Sequence, residues 1–285
     1  MAQEVMTPPD VTATSVFVLD ADTGQPLYAK NDNEVFWILS LTKLVSASVL
    51  VDRMGDRLSE PVTVDWPHLV RGSTAGLKRR DVWTLRDLLY GMVLVSGNDA
   101  SMAIADYTGR ALLAQENKRG DSIQRFVEEM KSTAKALGAT HTNFADPYGI
   151  SPNNVATARD VGLIAASIFT DPRLLPAWAC TERTVDVGGP KARTVTLNTT
   201  IEILGEDGVI GAKTGSHVSK NIYNLVTAWR APNGQTIVGV VLGSASHPAR
   251  YDDMHAIMAA LPRDFPELAE PVTGAVALDP GTNCR

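Results

Sequence analysis

Strand-like and helix-like patterning are segregated along this chain, and that segregation constrains the fold more than any single motif does. Two short runs near the N-terminus, Thr14 to Leu19 and Pro26 to Ala29, flank Asp20-Ala21-Asp22-Thr23-Gly24 and read as a hairpin. Helical periodicity then dominates residues 84–170, with runs from Ser122 to Leu137, stopped by Gly138, and from Thr157 to Phe169. Strand-like runs return at 182–187, 193–197, 209–213, 222–230 and 236–243, and Pro232-Asn233-Gly234 marks a hairpin between the last two. A final helical run covers 248–261, closed by Pro262. Strand formers at both ends with helices between them predict an α+β fold. Its antiparallel sheet is drawn from the N- and C-terminal parts and flanked by helices, with an inserted, mainly helical subdomain. The expected layout is one domain over residues 1–262, with the sheet from about 10–60 plus 181–262 and the helical part from about 61–180. Residues 263–285, rich in Pro, Glu and Gly, read as a loose tail.

Composition narrows the functional classes. A chain of 285 residues that is 44% hydrophobic can bury a sizeable core. The formal charge of −6 and the lack of a Lys/Arg block argue against nucleic acid as a partner. No apolar stretch has the length to span a bilayer, and Met1-Ala2-Gln3-Glu4 lacks the basic-then-apolar character of a secretory leader. Two cysteines, Cys180 and Cys284, make neither a disulfide framework nor a metal site; with Cys284 next to the C-terminus a bridge between them is possible but is not the favoured expectation. The five histidines (68, 141, 217, 247 and 255) have no zinc-like spacing, so no metal or cofactor is expected. His141 and His217 are read as structural, hydrogen-bonded residues beside the cleft proposed next.

Three short motifs carry the chemistry. Residues 37–54 are apolar nearly all round and predict a buried helix ended by Gly55, with Ser40 in its first turn and Lys43 three residues on, on the same face. A helix start presents unpaired N–H groups to a developing oxyanion, and the lysine amine comes within reach of the serine hydroxyl. To serve as a base near neutral pH the amine's pKa must fall by about 3, roughly 4 kcal/mol. Burial and a second cation would do this, and Lys213 is the candidate. By itself Ser-x-x-Lys has roughly even odds of occurring by chance in a chain this long.

Ser96-Gly97-Asn98 falls on a tight connection between two helical runs, the first opened by the capping pair Thr84 and Asp87. Ser96 can pass a proton to a leaving amine, and Asn98 offers a donor and an acceptor to a substrate amide. Lys213-Thr214-Gly215 follows the extended run Val209 to Ala212. Lys213 and Thr214 suit a carboxylate, Gly215 leaves room for a bound backbone, and the Ser216 N–H could join that of Ser40 at an oxyanion. A fixed tripeptide arises by chance in only a few per cent of such chains. The three in this order are not coincidental.

The chain resembles the serine D-alanyl-D-alanine carboxypeptidases, the low-molecular-weight penicillin-binding proteins of the β-lactamase/transpeptidase-like superfamily. The likeness extends to Asn98-Asp99-Ala100, to Leu137 through Gly149, to Ala156 through Asp160 and to Tyr223-Asn224-Leu225-Val226, and covers residues 12–262. It implies a β-lactamase-like fold with its site at the junction of sheet and helices. It further implies Ser40 as acylated nucleophile, Lys43 as general base, Ser96 as proton relay and Asn98 as reader of the penultimate amide. Lys213 would support the electrostatics and Thr214 the terminal carboxylate, with Arg250 steadying that carboxylate or else standing as a solvated arginine at a helix start.

Leu39, Ser216-His217 and an apparently longer loop at Gly211-Ala212 depart from the family pattern. The implied substrate is the peptidoglycan stem peptide, with β-lactams as covalent inhibitors, in an exported protein of the periplasm or cell envelope. Alternatives are a class A-like β-lactamase, for which no Glu-x-x-x-Asn follows the second motif, and a non-enzymatic penicillin-sensing domain.

Overall fold

A computed structural model describes residues 9–206, 208–261 and 284. The expected tail at 263–285 therefore lies outside the described residues, apart from Cys284. In chain order the elements are β1 (Ser15–Asp20), β2 (Pro26–Lys30), β3 (Val35–Trp37), α1 (Lys43–Met54), β4 (Pro61–Thr63) and β5 (Val82–Thr84). Helices α2 (Leu85–Leu94), α3 (Asn98–Gln115) and α4 (Ser122–Ala136) follow, then β6 (Val155–Thr157), α5 (Ala158–Phe169) and α6 (Leu175–Trp178). The chain continues with β7 (Glu182–Val187), β8 (Arg193–Asn198), β9 (Val209–His217), β10 (Ile222–Arg230), β11 (Thr236–Leu242) and α7 (Ala249–Ala260).

A five-stranded antiparallel sheet has the order β2-β1-β11-β10-β9, so its two halves come from opposite ends of the chain as expected. Both faces of its centre are covered. Along β1, Val16 and Val18 pack with Tyr251, Met254 and Ile257 of α7, while Phe17 and Leu19 join the larger core with the inserted helices. That double coverage explains why β1 and β11 read as unbroken apolar runs instead of alternating ones, since neither face meets water. Each such buried side chain contributes about 1.5–3 kcal/mol.

The helix starts follow their sequence signals. Thr84, Asp121 and Thr157 each accept a backbone N–H from three residues on, at 3.1, 2.9 and 3.1 Å. Among the described residues, no helix is long and apolar enough to cross a membrane.

The structure corrects four expectations. Residues 37–54 are not one helix: Trp37 ends β3, Leu39–Thr42 form a 3-10 turn, and α1 begins at Lys43. The runs at 182–187 and 193–198 are strands, but they pair with each other as a separate ribbon outside the main sheet. Gly211-Ala212 belongs to β9, not to a loop. Finally, Cys180 and Cys284 form a disulfide with their Cα atoms 5.9 Å apart. The fold brings the two thiols together across a separation of 104 residues, which neither spacing nor composition could report.

Candidate active site

The nucleophile segment is wedged between two glycines. Leu39 takes a left-handed conformation (φ 54°), unusual for a residue with a Cβ and costing on the order of 1–3 kcal/mol. It is held there from both sides. A Cβ on Gly149 would fall 1.9 Å from the Leu39 carbonyl oxygen, and one on Gly215 would lie 2.5 Å from that of Ile38. Gly215 thus admits the protein's own backbone. Asn224, opposite Gly215 in the β9–β10 register, donates to the Trp37 carbonyl at 3.1 Å and ties β3 to the sheet.

On this turn Ser40 presents its hydroxyl to Lys43, whose Nζ lies 3.0 Å from Ser40 Oγ, 2.8 Å from Asn98 Oδ1 and 2.9 Å from the Tyr148 carbonyl oxygen. A neutral amine has two N–H donors and one lone pair. The two acceptors that cannot donate, Asn98 Oδ1 and Tyr148 O, take the N–H groups, leaving the lone pair for the serine proton. Complete burial lowers the Lys43 pKa well below its ordinary value, and the positive charge of Lys213 lowers it further. Asp146 and Asp99 pull it the other way. The expected influence of a second lysine is therefore present.

The carbonyl that orients Lys43 is itself built by a turn that sequence motifs did not single out. The Asp146 carboxylate accepts the N–H groups of Tyr148, Gly149 and Ser151 at 2.9, 2.5 and 2.6 Å. The Pro147 carbonyl accepts Ser46 Oγ of α1 at 2.6 Å and Ser101 Oγ of α3 at 2.7 Å. Asn154 closes the turn onto Thr42, donating to its hydroxyl at 3.1 Å. The only sequence signal here was family likeness in the stretch through Gly149.

The second motif lies between α2 and α3, as expected. Ser96 is also left-handed (φ 55°), and its buried hydroxyl has no hydrogen-bond partner among the described residues. Asn98 donates through Nδ2 to the Arg71 carbonyl at 2.9 Å, leaving its second amide N–H available. Asp99, also missed, accepts from Thr74 Oγ1 and from the N–H groups of Ala75 and Leu77 at 2.5, 2.8 and 3.1 Å. It pins the 71–77 wall to the start of α3.

The third motif runs along β9, an edge of the sheet that packs against the Ser40 turn. Lys213 is fully buried, its Nζ donates to the Thr214 carbonyl at 2.8 Å, and burial with the nearby Arg250 guanidinium lowers its pKa to about 7. Thr214 is buried and Ser216 exposed. Arg250 is not a solvated arginine. It is buried at the start of α7 and donates through Nη1 to Ser216 Oγ at 2.5 Å and through Nη2 to Tyr251 Oη at 3.4 Å, leaving Nε without a partner among the described residues. Of the two histidines expected beside the cleft, His217 packs its ring on Trp37 at 5.2 Å, whereas the His141 backbone N–H donates to Asp160 at 2.6 Å at the start of α5. The arrangement provides a desolvated base on a hydroxyl, a second hydroxyl unpaired among the described residues, and two buried basic side chains, Lys213 on β9 and Arg250 reaching that strand from α7. Such a set can transfer an acyl group from an anionic substrate.

Comparison with known proteins gives the same picture. The family profile for D-alanyl-D-alanine carboxypeptidases, a peptidase family, matches residues 2–246. A D-alanyl-D-alanine carboxypeptidase of Streptomyces sp. strain K15 is 32% identical over 263 residues, covering 89% of this chain and 88% of its own. The Escherichia coli D-alanyl-D-alanine carboxypeptidase DacC is 28% identical over 90% of this chain, which spans 63% of that relative. The crystal structure of the Streptomyces K15 DD-transpeptidase superposes with a TM-score of 0.80 at 30% identity, over 89% of this chain and 98% of that one. A D-alanyl-D-alanine carboxypeptidase structure from Mycobacterium tuberculosis H37Rv gives 0.76 at 25% identity, over 90% and 94%.

Proposed function

The chain belongs to the D-alanyl-D-alanine carboxypeptidase family of serine peptidases, and from that premise we propose that it removes the terminal D-Ala of peptidoglycan stem peptides through an acyl-enzyme on Ser40. Neutral Lys43 takes the Ser40 proton as Oγ attacks the penultimate carbonyl carbon. The resulting oxyanion sits at the N–H groups of Ser40 and Ser216. Collapse breaks the peptide C–N bond, with Ser96 passing the proton to the departing amine, and water then cleaves the ester. Asn98 holds the penultimate amide with its remaining N–H. Lys213, Thr214, Ser216 and Arg250 hold the terminal carboxylate, and Gly215 lets the nucleophile turn approach them.

One observation carries this reading: the Lys43 amine is fully buried and lies 3.0 Å from Ser40 Oγ, with Asn98 Oδ1 and the Tyr148 carbonyl as its other two partners. β-Lactams, which mimic the substrate, are proposed to acylate the same oxygen. A peptidoglycan substrate sets the reaction outside the cytoplasm, and the periplasm or cell envelope is the finer proposal.

The test pairs two measurements on the full chain. Labelled penicillin should modify Ser40 and be released slowly, and diacetyl-L-Lys-D-Ala-D-Ala should release D-Ala. Label on another residue would overturn the assignment. Rapid penicillin turnover would favour the β-lactamase alternative, and labelling without D-Ala release the sensor alternative. Transfer of the acyl group to an amine, the second reading, is supported by the likeness to the Streptomyces K15 DD-transpeptidase structure and would show as a new peptide product when glycine is added.

A further inference from the structure

The turn of the β7–β8 ribbon docks on the loop between β4 and β5. The Val82 N–H donates to the Gly188 carbonyl at 3.0 Å, and a Cβ on Gly189 would fall 2.2 Å from the Arg80 carbonyl oxygen. Arg193 reaches back from the ribbon to Asp81 at 2.7 and 2.9 Å and to the Gly76 carbonyl at 3.0 Å. Under that contact Arg80 is left-handed (φ 69°), a conformation that a residue with a Cβ keeps only where its surroundings impose it.

The surface so assembled is cationic, against a formal charge of −6 for the whole chain. Lys78, Arg80 and Lys191 are exposed, and their side chains have no hydrogen bond or ion pair among the described residues. The carboxylates of the loop are already matched, Asp65 by Arg79 at 3.0 Å and Asp81 by Arg193. Asp186, farther down the ribbon, accepts Thr194 Oγ1 at 2.9 Å, one acidic group against three free cations. An aromatic ring belongs to the same face. The Arg79 guanidinium stacks 5.2 Å from the Trp66 ring centroid, yet Trp66 is 65% exposed, and Pro67 beside it is exposed as well.

We propose that this face, Trp66 with Lys78, Arg80 and Lys191, is a contact surface for an anionic phospholipid bilayer. An indole settles at the headgroup level of a bilayer, and lysine and arginine are drawn to the anionic headgroups there. The cations alone would suit any polyanion. The exposed indole among them favours lipid, because a phosphate polymer offers no apolar layer for the ring to enter. The Arg71 and Ser73 carbonyls accept Asn98 Nδ2 and the Asn98 N–H at 2.9 and 2.8 Å, so the bilayer contact and the Asn98 wall belong to one loop. The proposal goes beyond the carboxypeptidase reading and does not depend on it.

The test floats the full chain with vesicles of phosphatidylcholine, alone or mixed with phosphatidylglycerol. At low salt the native chain should partition onto the mixed vesicles and not onto the neutral ones, and high salt should release it. A lysine or arginine near an anionic surface is worth about fivefold in partitioning, so K78Q/R80Q/K191Q should weaken binding by about a hundredfold. The triple variant should melt at the native temperature, since its side chains give up no ion pair or hydrogen bond within the described residues. Brominated lipid in the mixed vesicles should quench the fluorescence of the native chain and leave that of W66F nearly unchanged. Equal binding to neutral vesicles, a triple variant that binds as tightly as the native chain, or a native emission that brominated lipid does not quench would each overturn the proposal. So would binding of inorganic polyphosphate with none to vesicles, which would make this face a site for a soluble polyanion.

Discussion

Lys213 shows how one residue couples activity and stability. Its amine is cationic in the folded protein only below a pKa of about 7, and it helps attract the substrate carboxylate only while charged. The kcat/KM for a peptide with a free C-terminus should therefore fall as pH rises through about 7. A flat profile from pH 6 to 9 would contradict this. The stability effect has a definite sign. Between about 7 and 10.5 the unfolded chain holds a proton on this amine that the folded chain does not, so the burial penalty is full below that window and is relieved as pH rises through it. Lys213→Met should consequently stabilise the fold at pH 7 by about 1–3 kcal/mol in urea melts, while slowing penicillin labelling of Ser40 by about 100-fold or more. Gly215→Ala acts by geometry instead. Its Cβ would press on the Ile38 carbonyl and shift the nucleophile turn, with an expected loss of about 100-fold in kcat/KM.

At the scale of elements, the site depends on two turns that contribute backbone more than side chains. Asp99 gathers the 71–77 wall, and Asp146 shapes the turn that offers the Tyr148 carbonyl to Lys43. Asp99→Asn should cost about 2–3 kcal/mol in urea unfolding and speed amide exchange at Ala75 and Leu77, whereas unchanged exchange there would argue against the pinning role. These turns mark where sequence reading stopped. The hairpin of β1 and β2, helices α2 to α5 and the last strands were legible, because periodicity and the capping residues Thr84 and Thr157 act locally. The residue types of the reacting set were legible as motifs. The 3-10 start at Leu39 was not, because its left-handed backbone is imposed by Gly149 and Gly215, both more than a hundred residues away. Nor did any pattern predict that Arg250 would be buried against Ser216.

The whole molecule is fastened by links between distant segments. The Cys180–Cys284 bridge anchors the far end of the chain beside β7, where the Cys284 carbonyl also accepts Arg183 Nη1 at 2.9 Å. Closing so long a loop restricts the unfolded ensemble, so Cys284→Ser should lower stability by about 2–4 kcal/mol, or about 5–10 °C in Tm. Penicillin labelling of Ser40 should survive, since the hydrogen bonds of Lys43 and Lys213 go to groups other than the two cysteines. A melting curve indifferent to reductant would refute the bridge's role. The interleaving of β1 with β11 has a consequence for timing. During synthesis Ser40 and Lys43 emerge early, but the strand bearing Lys213 and the one that zips to β1 come almost at the end. A nascent polypeptide halted before residue 209 would hold serine and base without their distant cation, and should stay inert toward penicillin until its last strands dock.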